Sequence, residues 1–301
     1  MKRILVILLS ILFLLGCAEY TSASNETVPE TEPPKITNIE DSADVIVAAA
    51  ETPVPATELP LPTLPPTPSP SPTPEPTPTP EPTPTPEPTK DPNRPMVALT
   101  FDDGPNMTLT VPVLEKLEQY HVKATFFVLG SAINDKNGYM LQMMVDGGHE
   151  IGVHGLNHDV MTQFSGRKNA ERLLKTCEEI SSWVEGGYQP RTMRPPQGKT
   201  NGHVKSGAKQ AGLAVIRWSV DTYDWKTQNE KKIMDVVKKQ TKNGSIILCH
   251  DHHKPTLNVL DEMIPWLLEQ GYELVTVSEL LESSGTPLEP GEVYFCKEIN
   301  D

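Results

Sequence analysis

The 301-residue sequence has few cysteines, no basic face and no apolar run of membrane-spanning length, and each shortage excludes a class of protein. Beyond Cys17 the cysteines are Cys177, Cys249 and Cys296, an odd number without paired spacing, so the pattern does not describe a disulfide framework. Basic residues number 26 against 40 acidic ones, which argues against a nucleic-acid-binding surface. The apolar run at residues 4–15 is too short for an ordinary transmembrane helix, which needs about 20 residues. Hydrophobic periodicity is also missing between residues 18 and 92, apart from a short run at 45–50, leaving about two hundred residues to build a core.

What the first third does contain is legible. Met1-Lys2-Arg3, the apolar run and the closing Leu14-Leu15-Gly16-Cys17 read as an export signal. Its ending resembles the bacterial lipobox, which implies that the signal segment 1–17 ends at a cysteine, Cys17, that is lipidated and becomes the mature N-terminus. Every even position from Pro66 to Pro88 is proline, and residues 73–90 hold three near-copies of Thr-Pro-Glu-Pro-Thr-Pro. Such a tract favours polyproline II and would reach on the order of 70 Å. Residues 18–92 are therefore expected to be a disordered, stiff tether. They and the signal carry 4 basic and 13 acidic residues, a net of −9, while the remainder carries 22 and 27, a net of −5. The expected location is the outer face of the cytoplasmic membrane, with a lipid anchor and the folded part reaching into the cell wall.

From residue 93 to 283 strand-like runs at 96–101, 124–129, 149–153, 192–194, 214–220, 245–250 and 273–277 alternate with amphipathic stretches, the clearest at 169–184, 230–241 and 257–270. This is a β/α repeat that closes either as an open doubly wound sheet or as a barrel. Asp102, His154, Arg194, Asp221 and His250 fall at or just past strand C-termini, where β/α barrels build their sites. Residues 284–301 form a C-terminal tail without an assigned role.

Five polar clusters carry the chemistry. Thr100-Phe-Asp-Asp-Gly-Pro ends a strand in a carboxylate pair, although an aspartate there can also cap the next helix. His154 and His158, four apart, would lie on one side of a helical turn and suit one metal ion. Arg194-Pro-Pro-Gln-Gly sets a permanent charge on a stiffened backbone. Asp221-Thr-Tyr-Asp-Trp joins carboxylates to an aromatic wall, and Ile246 to His250 is a buried strand ending in histidine. On that strand Leu248 and His250 share a face and Cys249 points to the opposite layer, into packing. His252 and His253 read as a solvated loop, and His121 and His149 as structural.

Taken in order, these motifs resemble the polysaccharide deacetylases of the NodB-homology type, carbohydrate esterase family four, over roughly residues 94–283. The resemblance implies a distorted (β/α)7-8 barrel. It implies that Asp103, His154 and His158 hold one divalent ion, with zinc expected and cobalt an alternative, and that Asp102 is the general base, tethered and tuned by Arg194. It further implies that His250 protonates the leaving amine under the control of Asp224, and that the Gln197 backbone N–H serves the oxyanion. Pro196 and Gln197 border the substrate, and Trp225 and Leu248 line the acetyl-methyl pocket. Two positions depart from the family pattern: Gly155 stands where Ser or Thr is usual, and Gln197 where an aromatic is usual. The segment 244–280 most resembles peptidoglycan N-acetylglucosamine deacetylases, so the expected function is metal-dependent N-deacetylation of wall glycan. Chitin oligomers, acetylxylan or an exopolysaccharide are the alternative substrates, and a non-catalytic glycan-binding module the remaining class.

Overall fold

The computed structural model describes residues 94–297; the export signal, Cys17 and the proline-rich tether lie outside the described residues. β1 (Met96–Asp102) is the hub of the sheet. Six of its seven residues are buried, the continuous burial expected of a parallel strand covered on both faces. It pairs with β7 (Ile246–His250) on one side and β2 (Thr125–Val128) on the other, and its first residues also pair with β8 (Glu273–Leu274). From β2 the sheet continues through β3 (Glu150–Val153), β4 (Thr192–Met193), β5 (Ala214–Ile216) and β9 (Val293–Tyr294), while β6 (Val220–Asp221) lies beyond β7. All these pairings are parallel.

The run at 214–220, expected as one strand, divides into β5 and β6, which stand near opposite ends of the strand order. Between them the Arg217 N–H donates to Tyr294 O and the Ser219 N–H donates to Ile246 O. One short segment therefore serves both flanks of the sheet, which curls into a parallel half-barrel. A second correction concerns the tail. Residues 284–297 are not separate from the domain: β9 pairs with β5, and the Lys297 N–H donates to Gly244 O.

Helices α3 (Gly166–Ser182), α6 (Glu230–Gln240) and α7 (Lys254–Glu269) match the three amphipathic stretches. They are joined by α1 (Thr110–Gln119), α2 (Tyr139–Asp146), α4 (Gly202–Gln210), the short α5 (Asp224–Thr227) and α8 (Val277–Glu282). Their starts are set by side chains that accept from otherwise unpaired N–H groups: Ser165 for α3, Asn201 for α4 and Asn229 for α6. Thr276 and Glu279 form a reciprocal capping box at α8.

Alternation along β1 sorts its side chains between two cores. Val97, Leu99 and Phe101 join the larger cluster, with Leu260, Ile264 and Leu267 of α7, whereas Ala98 joins a smaller one with Phe127, Ile216, Ile246 and Val275. Thr100 and Asp102 share the face of Ala98, so β1 delivers a carboxylate at the end of its inward row. Among the described residues no helix is long and apolar enough to cross a membrane. Replacing Thr276 by Ala should lower unfolding free energy by about 1 kcal/mol through loss of the α8 cap. A shift of the urea midpoint at unchanged slope would register it.

Candidate active site and metal centre

The five expected strand-end residues all stand where β-strands finish. Asp102 ends β1, His154 and Arg194 directly follow β3 and β4, Asp221 ends β6 and His250 ends β7. Arg194 is fully buried. Its Nη1 donates to Asp102 Oδ1 at 2.7 Å and to Thr100 Oγ1 at 2.8 Å, and its Nη2 donates to Arg217 O at 3.0 Å. The guanidinium also lies 4.2 Å from the Phe127 ring centroid. Burial pulls the Arg194 pKa down, and the charge and hydrogen bond of Asp102 push back.

Beside this pair, Asp103 Oδ1 lies 3.4 Å from His154 Nε2 and 3.6 Å from His158 Nε2, and the three ligand atoms fall within 4.8 Å of one another. His154 Nδ1 is bonded to Arg194 O at 2.8 Å, which assigns its proton to Nδ1 and leaves the Nε2 lone pair facing the cluster. Burial lowers the pKa of His154, favouring the neutral ring a metal ligand needs. Asp103 Oδ1 is buried without a hydrogen-bond partner. An orphaned carboxylate oxygen facing two imidazole nitrogens fits a divalent cation. Side-chain exposure falls from 44% at His158 to 21% at Asp103 and 3% at His154, so the cluster opens towards solvent on the His158 side.

The expectation that His154 and His158 share a helical turn is not met. They lie in a bend after β3, their ring centroids 5.4 Å apart. Gly155 makes that bend at φ 89°, and a Cβ there would lie 3.3 Å from Asn157 O. This explains glycine in place of a hydroxyl residue: the local backbone is one that side-chain-bearing residues rarely adopt. Pro196 is buried against the same turn, and Gln197 adopts a left-handed conformation at φ 59°.

Across the site His250 Nδ1 is bonded to Asp224 Oδ1 at 2.8 Å. Asp224 Oδ2 accepts from the His250 N–H at 2.8 Å and from Thr256 Oγ1 at 2.7 Å. Burial disfavours both charges, yet the bonds between them prevail. The His250 pKa is raised to about 9 by Asp224, with help from Asp102 and Asp103, and Asp224 is held below the usual carboxylate range. Leu248 is buried two residues before His250, and Trp225, half exposed, follows Asp224 in the first turn of α5. Cys249 is buried in the outer core, as its alternation requires.

His252 and His253 are not a freely solvated loop. Both are half-buried, their ring centroids each 5.6 Å from that of His250 and 4.0 Å from each other. His149 is structural as expected: it is buried, Nδ1 accepts from the Ala124 N–H, and burial with the Lys123 charge lowers its pKa to about 4. His121 is exposed at φ 52°.

Three supporting residues escaped the sequence reading. Thr100 could have been found by period two, since it shares the inward face with Asp102. Thr256 binds Asp224 across 32 residues, a pairing no local pattern announces. Asp251 is buried beneath Gly104, accepts from Thr110 Oγ1, and has its pKa raised to about 7 by burial despite that hydrogen bond, with a further push from the Asp103 charge.

A parallel half-barrel with an Asp-His-His cluster between a buried arginine–carboxylate pair and a buried histidine–carboxylate pair defines a class of carbohydrate-active domain. The polysaccharide deacetylase pattern matches residues 89–216. A solved peptidoglycan deacetylase from Bacillus subtilis is 39% identical at TM-score 0.60, covering 65% of this chain and 94% of that one. A family 4 acetyl xylan esterase from Clostridium thermocellum, solved with a cobalt ion, is 33% identical at TM-score 0.63, covering 68% of this chain and 100% of that one. The peptidoglycan-N-acetylglucosamine deacetylase of Listeria monocytogenes is 41% identical over 201 residues, which are 67% of this chain and 41% of that protein, so the chain spans about two fifths of that relative. The chain belongs to the polysaccharide deacetylase family.

Two outcomes follow for the metal-free protein. Arg194→Met should cost about 3–5 kcal/mol because it strands a buried carboxylate, and adding Asp102→Leu should recover part of the loss, as a denaturant double-mutant cycle would read. His250 has a folded pKa above its unfolded value of about 6.5, so its stabilisation is complete below pH 6.5 and is lost as pH rises through about 9. In Asp224→Asn the NMR titration midpoint of His250 should fall, and this pH-dependent loss of stability should disappear.

Proposed function

We propose that this domain removes N-acetyl groups from cell-wall glycan, with the N-acetylglucosamine of peptidoglycan as substrate. One observation carries the reading. Asp102 and His250 are register partners at the ends of adjacent strands, one held by a buried cation and the other by a buried carboxylate, with the Asp103-His154-His158 cluster alongside.

A divalent ion held by those three residues, for which zinc is our choice, would supply Lewis acidity, lowering the pKa of a water and polarising the acetamide carbonyl. The chain's own groups do the rest. Asp102 keeps Oδ1 on Arg194 and turns Oδ2 towards His154 Nε2, 3.8 Å away, so Oδ2 accepts the proton of the attacking water. The backbone N–H of Gln197 donates to the oxyanion. His250, protonated at neutral pH and with Nδ1 committed to Asp224, gives its Nε2 proton to the departing amine. Trp225 and Leu248 enclose the acetyl methyl.

The substrate assignment is supported by the Listeria monocytogenes and Bacillus subtilis relatives, both named for peptidoglycan. Placement outside the cytoplasmic membrane, anchored by lipid at Cys17 and spaced by the proline tract, is supported by the positive start, apolar run and Leu-Leu-Gly-Cys ending. The test strips the protein of metal, reloads it with zinc or cobalt, and follows acetyl loss by mass spectrometry on peptidoglycan, chitin oligomers and acetylxylan. Acetyl loss from the N-acetylglucosamine of peptidoglycan is expected, falling about 10²- to 10⁴-fold in Asp102→Asn and on chelation. Preference for acetylxylan or chitin would reassign the substrate, and no loss from any polymer with metal bound would overturn the catalytic reading.

A further inference from the structure

Beside the Asp224 turn lies a groove of about 440 Å³, between the start of α5 and the flank of α6. Its walls are formed by Tyr223, Val236, Thr227, Lys226, Lys232 and Asp235, with Thr222 at its base. It adjoins the proposed catalytic groups through two residues: Thr222 is bonded to Leu248 O, and Tyr223 is the N-cap of the helix that begins with Asp224. Tyr223 holds φ 53°, a strained conformation for a residue with a side chain, and its ring lies 6.4 Å from that of half-exposed Trp225. The aromatic wall of the site thus continues into the groove.

The polar groups in the groove are donors in excess. Lys226 and Lys232 are exposed, and neither makes an ion pair with a described residue. Asp235, the acidic residue of the lining, is already bound to Lys231 at 3.0 Å. Two ammonium groups beside a largely apolar lining suit a ligand that brings a carboxylate on a partly apolar stem.

We propose that this groove is an accessory subsite for a carboxylate-bearing peptide arm hanging from the glycan strand, next to the sugar being deacetylated. The inference rests on the wall-glycan reading and extends it, because it gives the site a means of telling a peptide-bearing strand from neutral chitin or xylan. Lys226 and Lys232 supply the charge, and Tyr223 the surface against which the arm's apolar portion packs.

The test is calorimetric binding of metal-loaded full-length protein to soluble glycan fragments with their stem peptides intact, and to the same fragments after the peptides are cut off. Acetyl release is followed in the same samples. The peptide-bearing fragment should bind about 3- to 10-fold more tightly, the range two exposed charge pairs supply, and the advantage should shrink at high salt. Lys226→Glu with Lys232→Glu should erase the difference while leaving affinity for the peptide-free fragment intact. Equal affinity for the two fragments, or a preference that survives the double variant, would overturn the subsite. A preference that vanishes in the variant without acetyl release in the wild type would keep the subsite and remove the deacetylase reading.

Discussion

The contact on which the rest of the site depends is the buried pair between Arg194 and Asp102. Taking both charges out of water costs several kcal/mol per ion, so the pair is tolerated only where geometry and further hydrogen bonds are complete. Here the partners come from four separate parts of the chain: Thr100 and Asp102 from β1, Arg194 after β4, the Arg217 carbonyl at the seam between β5 and β6, and the Phe127 ring from β2, while Arg194 Nε is left without a hydrogen-bond partner. The Arg194 carbonyl then fixes the tautomer of His154. A single residue thereby orients the proposed base through its side chain and one metal-site imidazole through its backbone. Both depend on the curl of the sheet, because Arg194, after β4, reaches Asp102 on β1 across the intervening β2 and β3.

The loops around this pair carry local strain. Asp103, Gln197 and Tyr223 all have positive φ without being glycine, each adjoins a residue assigned to the chemistry, and Gly155 adopts the same region between the two imidazoles. Such conformations cost of order 1–3 kcal/mol each and persist where the surroundings over-determine them. The surroundings are visible in each case: His154 and His158 face Asp103, Pro196 packs against Gly155, and Asp224 anchors the turn after Tyr223 through four hydrogen bonds. The strained positions are where an extended strand must turn its polar end into the mouth of the half-barrel.

The strand-end placement of Asp102, His154, Arg194, Asp221 and His250 was legible because a parallel strand buried on both faces prints a continuous apolar run, and the polar residue that ends it marks the strand's C-terminus. Other features were hidden by their range. The division of 214–220 is decided by which neighbours each half meets, a matter of closure and not of local propensity. β9 is two residues long and gains its place by pairing with β5, so it left no pattern in the tail. His252 and His253 read as solvated because adjacent histidines in a turn usually are, whereas the turn after β7 folds them back onto His250.

The two ends of the proposed site differ in what surrounds them, and the difference bears on how a polymer can lie across it. Asp102 is enclosed by the barrel interior, with an arginine and a threonine filling the space behind it. No part of a glycan chain can enter from that side. His250 stands at a margin formed by its neighbouring imidazoles, the exposed Trp225 and the groove between α5 and α6. A leaving amine is the one part of an acetamide still joined to the polymer after hydrolysis, whereas the acetyl group departs as a small acid. The acid that protonates the amine must therefore stand on the open side and the base on the closed side. The proposed roles agree with that order: His250, with its pKa raised to about 9, keeps 12% side-chain exposure, whereas Asp102, held by a buried cation, keeps 3%.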